Sequence, residues 1–251
     1  MQIEKLFRYP VKGLSAEPLA ETHLTPDQAI PWDRAFALAQ GDAPFDPAAP
    51  AFLPKSNFMC LMRNGSIALL RAVFDAAGPL LTITAPDGSM VVADPVTPAG
   101  RAALGAFLAG YLGTEARGSP VFQHAPGHSF GDQRSPVVSL INQATLRAFG
   151  ADVGAPREDT RFRANILFDD AAPWFEFEWV GRHLQVGAAR LVVTKRTVRC
   201  AAVEVNSATG ERDADPIREL KRHYGHADLG IHARVVTAGR IAPGDAITVL
   251  D

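Results

Sequence analysis

Cysteine is scarce in this 251-residue sequence, which contains only Cys60 and Cys200. Two thiols form at most one disulfide, and they cannot supply the four thiolates that an iron–sulfur cluster usually needs. We therefore expect any redox electrons to come from another protein. Because a chain of this length can bury a core without disulfides, the useful question is what each thiol contacts.

Long apolar runs and an excess of one charge are lacking as well. No apolar run reaches the roughly 18 residues that cross a bilayer, and the first residues, MQIEKLFRYPVKG, are charged where a signal peptide is apolar. These features predict a cytoplasmic protein with no membrane partner. The 25 Lys and Arg residues against 27 Asp and Glu give a net charge of −2, so no basic excess favours a nucleic-acid partner.

The common catalytic signatures are also missing. The sequence has no GxxxxGK[ST] phosphate loop, no GxSxG elbow, no HExxH helix and no CxxC pair. His223, His226 and His232 form a loose cluster that is more typical of a polar helix end than of a zinc site, because the spacing is unconvincing.

Short elements joined by turns dominate what is present, with 19 Pro and 21 Gly. The clearest are a hairpin over 80–93 and a helix from Pro98 to Leu112 that Gly113 ends. Segment 117–134 is rich in Gly, Pro, His and Ser, which predicts a connection or a mobile site loop and divides the chain into units 1–116 and 117–251. Further helices are predicted over 139–149 and 215–224, and strands over 3–9, 34–39, 164–168, 191–194, 198–205, 229–236 and 246–250. The pattern indicates a mainly β fold with a few helices, a barrel or sandwich rather than alternating βαβ units.

Cys200 is the most informative residue, because Lys195, Arg196 and Arg199 precede it closely. Positive charge stabilises the thiolate, which is the form that binds metals or attacks electrophiles. A cysteine chosen at random is more often a buried filler of a strand face, but three cations favour a reactive thiol here. Cys60 has no cation closer than Arg63 in sequence and is predicted to be structural.

A second basic cluster, Arg161-Phe-Arg163-Ala-Asn165, places polar residues at alternate positions. On an extended chain these three side chains would share one face and form an anion site, because guanidinium groups match phosphate oxygens. A solvated strand face with surface ion pairs is the alternative. A third basic point, Lys12-Gly13, follows a strand where glycine lets the backbone approach a ligand closely.

Five motifs in this order resemble the MOSC superfamily, which is named after the C-terminal domain of molybdenum cofactor sulfurase and includes the mitochondrial amidoxime-reducing components. They are Tyr9-Pro-Val-Lys-Gly13, Asp33-Arg34, Arg161-Phe-Arg-Ala-Asn165, Arg199-Cys200 and Gly239-Arg-Ile-Ala-Pro-Gly-Asp245. The resemblance spans the chain. It implies an N-terminal MOSC-associated β-barrel-like domain, 1–116, packed against a MOSC β-barrel domain, 117–251.

The resemblance also implies a site. Cys200 matches the cysteine that ligates molybdenum in the family, beside the sulfurs of the pterin. The residues that would hold the pterin and its phosphate are Lys12, Gly13, Arg34, Thr160, Arg161, Arg163, Asn165 and Arg199. Gly13 stands where the amidoxime reducers have a small hydroxyl residue.

The expected function is that of a molybdenum cofactor-dependent oxidoreductase, without pyridoxal phosphate, that reduces small N-hydroxylated substrates. Its electrons would come from an external ferredoxin, flavin reductase or cytochrome b5-like protein. The alternative is a carrier of persulfide sulfur, or of the molybdenum cofactor itself, that uses the same cysteine. A degenerate member that only binds a partner is the third possibility.

Overall fold

The computed structural model describes residues 1–250. Its first half contains eight strands and one α-helix: β1 (Gln2–Arg8), β2 (Glu17–Pro18), β3 (Thr22–Leu24), β4 (Phe36–Ala39), β5 (Arg71–Asp75), β6 (Leu80–Thr84), β7 (Met90–Ala93), α1 (Pro98–Leu112) and β8 (Val121–His124). The predicted hairpin is confirmed as β6 and β7, which pair antiparallel. Helix α1 has the predicted bounds, because the Thr97 side chain caps its first turn, Pro98 follows, and Gly113 ends it.

The second half continues with β9 (Val138–Asn142), α2 (Gln143–Asp152), β10 (Ile166–Asp169), β11 (His183–Val186), β12 (Ala189–Val198), α3 (Pro216–Tyr224), β13 (Asp228–Thr237), β14 (Gly239–Ile241) and β15 (Ile247–Val249). Short 3-10 helices lie between these elements, including Asp159–Phe162, Phe175–Trp179 and Ala201–Glu204. Helix α3 begins and ends as predicted, because Asp215 caps it and Gly225 takes the left-handed conformation after it.

Seven of the strands form a closed barrel. The sheet runs in the order β15-β11-β12-β13-β9-β10-β1, with β2 paired to the outer edge of β1. The backbone of β1 also meets the last strand, since Ile3 N donates to Asp245 O (2.9 Å) and Ile247 N donates to Met1 O (2.8 Å). The barrel interior is filled by fully buried aliphatic side chains such as Leu140. This arrangement confirms the mainly β fold with a few helices.

The remaining strands of the first half form a smaller unit with its own core. Strands β5, β6 and β7 make a meander, and β4 pairs with β8. Helix α1 buries Leu104 and Leu108 against Phe36, Phe74 and Phe122 from these strands. The boundary between residues 116 and 117 stays a prediction. Strands from the two sides of it pair with each other, because β1 joins β10 in the barrel and β8 joins β4 in the smaller unit.

Two predicted elements were wrong. Residues 138–142 form β9 and not the start of a helix, which begins only at Gln143. All five residues of β9 are buried between β10 and β13, and a short run that is buried on both faces lacks the alternation that marks a strand. Residues 198–205 are not a strand either, because β12 ends at Val198 and a 3-10 helix follows Cys200.

The segment 117–134 is only partly a connection. It contains β8, and the rest of it runs as a loop past the cavity described below. Among the helices of residues 1–250, none combines the length and the apolar character needed to cross a membrane.

Candidate functional site

A cavity of about 440 Å³ lies between the barrel and the smaller unit. Its walls come from the loop after β1, from the segment before β5, from the loop 127–137 and from the ends of β12 and β13. Both halves of the chain are therefore needed to form it. Of the residues predicted for the site, all but Thr160 line this cavity; the Thr160 hydroxyl instead lies 3.4 Å from that of Ser207.

The cavity lining is strongly cationic although the chain as a whole is not. Seven Lys or Arg residues line it against two Asp residues, whereas the net charge of the chain is −2. Low-dielectric walls strengthen such a field, so the cavity favours anionic ligands. The charged lining residues are Lys12, Arg34, Lys55, Arg134, Arg161, Arg163, Arg199, Asp33 and Asp132.

Cys200 lies two residues after the end of β12 and immediately before the 3-10 helix Ala201–Glu204. Its side chain is half-buried. The cation beside it is Lys55, on which the Cys200 sulfur acts electrostatically. Burial alone would lower the pKa of Lys55, but its interactions with Cys200 and Asp132 outweigh burial and raise the pKa.

The sequence neighbours of Cys200 are placed differently from the prediction. Lys195 donates to the Gln133 side chain (2.5 Å), and the Arg196 guanidinium lies over the Phe177 ring, 4.3 Å from its centre. Neither residue lines the cavity. The prediction of three cations around this thiol was therefore wrong for these two, because Gln133 holds the Lys195 ammonium and the Phe177 ring holds the Arg196 guanidinium outside the cavity.

Arg199 does line the cavity, but its guanidinium is tied to the backbone. It donates to Leu229 O (2.8 Å) and to Phe162 O (2.8 Å). Burial lowers the pKa of Arg199 to about 10. Gly230 (φ +78°) makes room for this side chain, because a Cβ there would lie 2.6 Å from Leu140 O and 3.2 Å from Arg199 Nη2.

The segment 159–165 is not extended, so the predicted alternation was wrong. Residues 159–162 form a 3-10 helix, and Arg163 is left-handed at φ 54°. Arg161 is 2% exposed and is neutralised by Glu158 (2.6 Å) and Asp213 (2.9 Å). Its remaining N–H groups donate to the carbonyls of residues 203 and 204. Arg161 thus holds the loop after Cys200 and has little left to offer a ligand.

Arg163 and Arg34 form a pair across the two halves of the chain. Both guanidinium carbons lie over the Tyr9 ring, at 4.2 Å and 4.4 Å from its centre. Arg34 donates to Arg163 O (2.9 Å), and Arg163 donates to Leu14 O (2.6 Å). Burial, reinforced by the charge of Arg34, lowers the pKa of Arg163 to about 10. Asp33 pairs with Arg34 (2.5 Å), so Arg163 is the cation of this pair that is left to favour an anion between the halves.

Lys12 and Asn165 are also committed to protein partners. The Lys12 ammonium donates to Phe130 O (2.7 Å) and pairs with Asp132. Asn165 accepts from the Ser139 hydroxyl (2.8 Å) and donates to Phe7 O (3.2 Å). Each of these contacts fixes the cavity wall.

Gly13 has a clear local role. Its φ is +87°, and a Cβ there would lie 2.6 Å from Ile67 Cδ1. Both the positive φ and the close packing at this position favour glycine, which explains why no hydroxyl residue stands there.

Three cavity residues were missed from the sequence: Lys55, Asp132 and His232. Each lies far along the chain from the motif residue that it approaches, and no local pattern marks it. Cys60 also lines the cavity, near Lys12, and burial raises its pKa more than the lysine lowers it. The nearest cation in sequence, Arg63, was a poor guide to the surroundings of Cys60, because Lys12 from the loop after β1 and Lys55 from its own segment both act on it.

Comparison with protein families identifies the chain. The MOSC domain model matches residues 126–248, and the MOSC N-terminal beta barrel domain model matches residues 1–104. The chain therefore belongs to the MOSC family and carries both of its domains in the predicted order.

Curated relatives share part of the chain. It is 32% identical over 117 residues to "Molybdenum cofactor sulfurase" of Drosophila grimshawi and 32% identical over 97 residues to the protein of that name from Anopheles gambiae. These matches cover 44% and 34% of this chain, but only 15% and 12% of the relatives. The chain thus corresponds to a small part of those proteins.

Solved structures resemble it weakly. The YUAD protein from Bacillus subtilis has a TM-score of 0.43 and 13% identity, covering 98% of this chain and 93% of that one. YiiM from Geobacillus stearothermophilus has a TM-score of 0.36 and 17% identity, covering 45% and 54%.

Proposed function

We propose that the cavity binds a molybdenum–pterin cofactor and that Cys200 is the protein ligand to the metal. The observation that carries the proposal is a partly open thiol in a cavity lined by seven cations, in a chain with a net charge of −2. A thiolate is a soft ligand that suits such a metal, and Arg and Lys suit the phosphate of a pterin. The names of the curated relatives support the link to the molybdenum cofactor.

The residues present fit this group. A volume of about 440 Å³ lies within the range of small-molecule sites, roughly 300–1,000 Å³. Among residues 1–250 the only acceptor of the Arg163 guanidinium is Leu14 O, so most of its N–H groups remain for a ligand. The same residues contain no group of three or more His, Cys, Asp or Glu side chains placed to hold a metal. Ligands besides Cys200 would therefore come from the cofactor.

The residues have distinct tasks in this proposal. Arg34 and Arg163 hold the anionic part of the ligand beside Tyr9. Lys55 places an ammonium group beside the Cys200 sulfur, where it would balance the charge of a metal-bound thiolate. The ion pair of Lys12 with Asp132 fixes the loop 127–137 as one wall of the cavity. When bound, the cofactor supplies two-electron redox chemistry at its metal.

The finer proposal is reduction of a small N-hydroxylated substrate. Two electrons and two protons convert an N–OH group to N–H and water. The electrons would come from an external ferredoxin, flavin reductase or cytochrome b5-like protein, because two cysteines cannot hold a four-thiolate cluster. A cytoplasmic location stays a prediction.

A carrier of persulfide sulfur or of the cofactor is the second candidate. The contact of Lys55 with Cys200 favours it too, because an ammonium group would stabilise a persulfide anion as it does a thiolate. This candidate requires the same cysteine but no turnover of an N-hydroxylated substrate.

Protein purified from a host that makes the cofactor separates the two. We would measure molybdenum, pterin and cyanide-releasable sulfur in the wild type, in Cys200→Ser and in the control Cys60→Ser. The reductase proposal expects near-stoichiometric molybdenum in the wild type and Cys60→Ser, with N-reductive activity lost in Cys200→Ser. Metal-free protein with releasable sulfur on Cys200 would support the carrier, and full activity of Cys200→Ser would refute the assignment of this thiol.

A further inference from the structure

His232 is the middle one of three polar residues that lie side by side on neighbouring strands of the barrel. It pairs with Lys195 of β12 on one side and with Ser139 of β9 on the other. Residues directly opposite each other share one face of a sheet. The flanking residues of β13, Ile231 and Ala233, are fully buried in the barrel core, so His232 points outward and lines the cavity.

The imidazole ring has no hydrogen-bond partner among residues 1–250. Its Nδ1 is sealed from solvent and unpartnered, and so is Thr197 Oγ1. Within this part of the chain seven buried side-chain atoms are unpartnered, and these are the two that belong to residues lining the cavity. Because polar groups in such a wall nearly always have partners, the unpartnered Thr197 hydroxyl and an imidazole whose unsealed Nε2 has no protein partner indicate that a ligand or water completes the wall.

The charges around the ring decide its protonation. Burial, together with the charges of Arg199, Lys195 and Arg34, lowers the pKa of His232 to about 3, although Asp132 opposes this shift. The ring is therefore neutral and carries one N–H. A proton on sealed Nδ1 would bury an unpaired donor, which is costlier than an unpaired acceptor facing cations. The proton thus resides on Nε2, which is not among the sealed atoms.

We infer that His232 is a ligand-binding residue of the cavity, which donates its Nε2–H to an oxygen of a bound oxyanion. The inference rests on the proposed function only in that the cavity takes an anionic ligand. A phosphate oxygen and a molybdate oxygen share the required chemistry. The cations near the ring draw the anion to this wall, and the neutral ring adds a directed donor without another charge.

Titration calorimetry of the full-length protein tests the inference. The protein is made in a host that cannot synthesise the cofactor, and inorganic pyrophosphate and molybdate are titrated separately. His232→Gln places an amide N–H near the position of Nε2, whereas His232→Asn places it near Nδ1 and His232→Phe removes it. We expect Phe and Asn to weaken binding about tenfold, which corresponds to about 1.4 kcal/mol, and Gln to stay within about threefold of the wild type. Which anion shows the effect identifies the oxygen source.

A second measurement does not depend on affinity. The 15N resonances of the His232 ring, assigned by their absence in His232→Gln, should show a neutral ring protonated on Nε2 that shifts when the anion is added. Equal affinities in all variants, a proton on Nδ1, or no binding of either anion would overturn the inference. If pyrophosphate binding depends on His232 but protein from a cofactor-making host holds neither molybdenum nor pterin, this inference stands and the proposed function fails.

Discussion

Replacing Arg163 with Met should separate ligand binding from folding. Arg163 contributes a hydrogen bond to Leu14 O and a contact with the Tyr9 ring. A hydrogen bond from a charged donor stabilises by roughly 1.5–3 kcal/mol and a cation–π contact by about 0.5–2 kcal/mol. Removal therefore loses about 2–5 kcal/mol of favourable interactions.

An opposing cost nearly balances this loss. Burial and Arg34 lower the pKa of Arg163 from 12.5 to about 10, and each pKa unit corresponds to about 1.4 kcal/mol. Since the residue is partly open to solvent, we take the cost of holding this charge as about 2–3 kcal/mol. From the midpoints of these two ranges, the net loss in the free energy of unfolding should be about 1 kcal/mol. In a chain of this size that lowers the melting temperature by about 2–4 °C.

Arg161 is a matched control two residues away. Arg161→Met leaves two carbonyls without a charged donor, and these two hydrogen bonds alone should cost about 3–5 kcal/mol, whereas the loss of the ion pairs with the partly exposed Glu158 and Asp213 adds little. Urea unfolding gives both free energies, and pterin content of protein from a cofactor-making host gives retention. We expect Arg163→Met to fold but to retain less than about a tenth of the pterin. Destabilisation of Arg163→Met as large as that of Arg161→Met, or full pterin content, would refute this reasoning.

Two further outcomes follow from the same structure. Gly230→Ala should destabilise by about 2–4 kcal/mol in urea unfolding, because its Cβ would overlap a carbonyl of the neighbouring strand. The control Gly154→Ala also has a positive φ (+71°) but has open space around it, so it should cost only about 1 kcal/mol. Equal losses in the two variants would show that steric overlap is not the cause. The pKa of Glu158 lies below its ordinary 4.5 chiefly because of its hydrogen bond from Arg161, and that of Asp213 lies below 3.8 chiefly because of its hydrogen bond from Asn206, with Arg161 adding to it. Their contribution is present above those ordinary values and is lost as the pH falls through the lowered ones, so stability should drop below about pH 4.5, and less steeply in Arg161→Met.

Local chemistry explains why several elements could be predicted. Thr97 and Pro98 start α1 and Gly113 ends it, and the hairpin 80–93 has its turn residues at its tip. Such signals act within a few residues, so they remain readable without the rest of the chain. By contrast, β9 is a short run buried on both faces, and only its neighbours β10 and β13 make it a strand.

The candidate site divides in the same way. Cys200 and Arg163 were found because motifs carry them, although the expected extended face of residues 161–165 was wrong. Lys55 approaches Cys200, and His232 approaches Arg34, only because the two halves of the chain fold against each other.

By itself, then, the amino-acid order determined the residue types available for binding an anion and a soft metal, and the local starts and stops of helices and turns. Tertiary structure decided which cations remain free, since partners distant in sequence neutralise Arg161 and leave Arg163 open. The physical reason is that charge and hydrogen bonding in a cavity depend on distances through space, which closure of the barrel and packing of the two halves set.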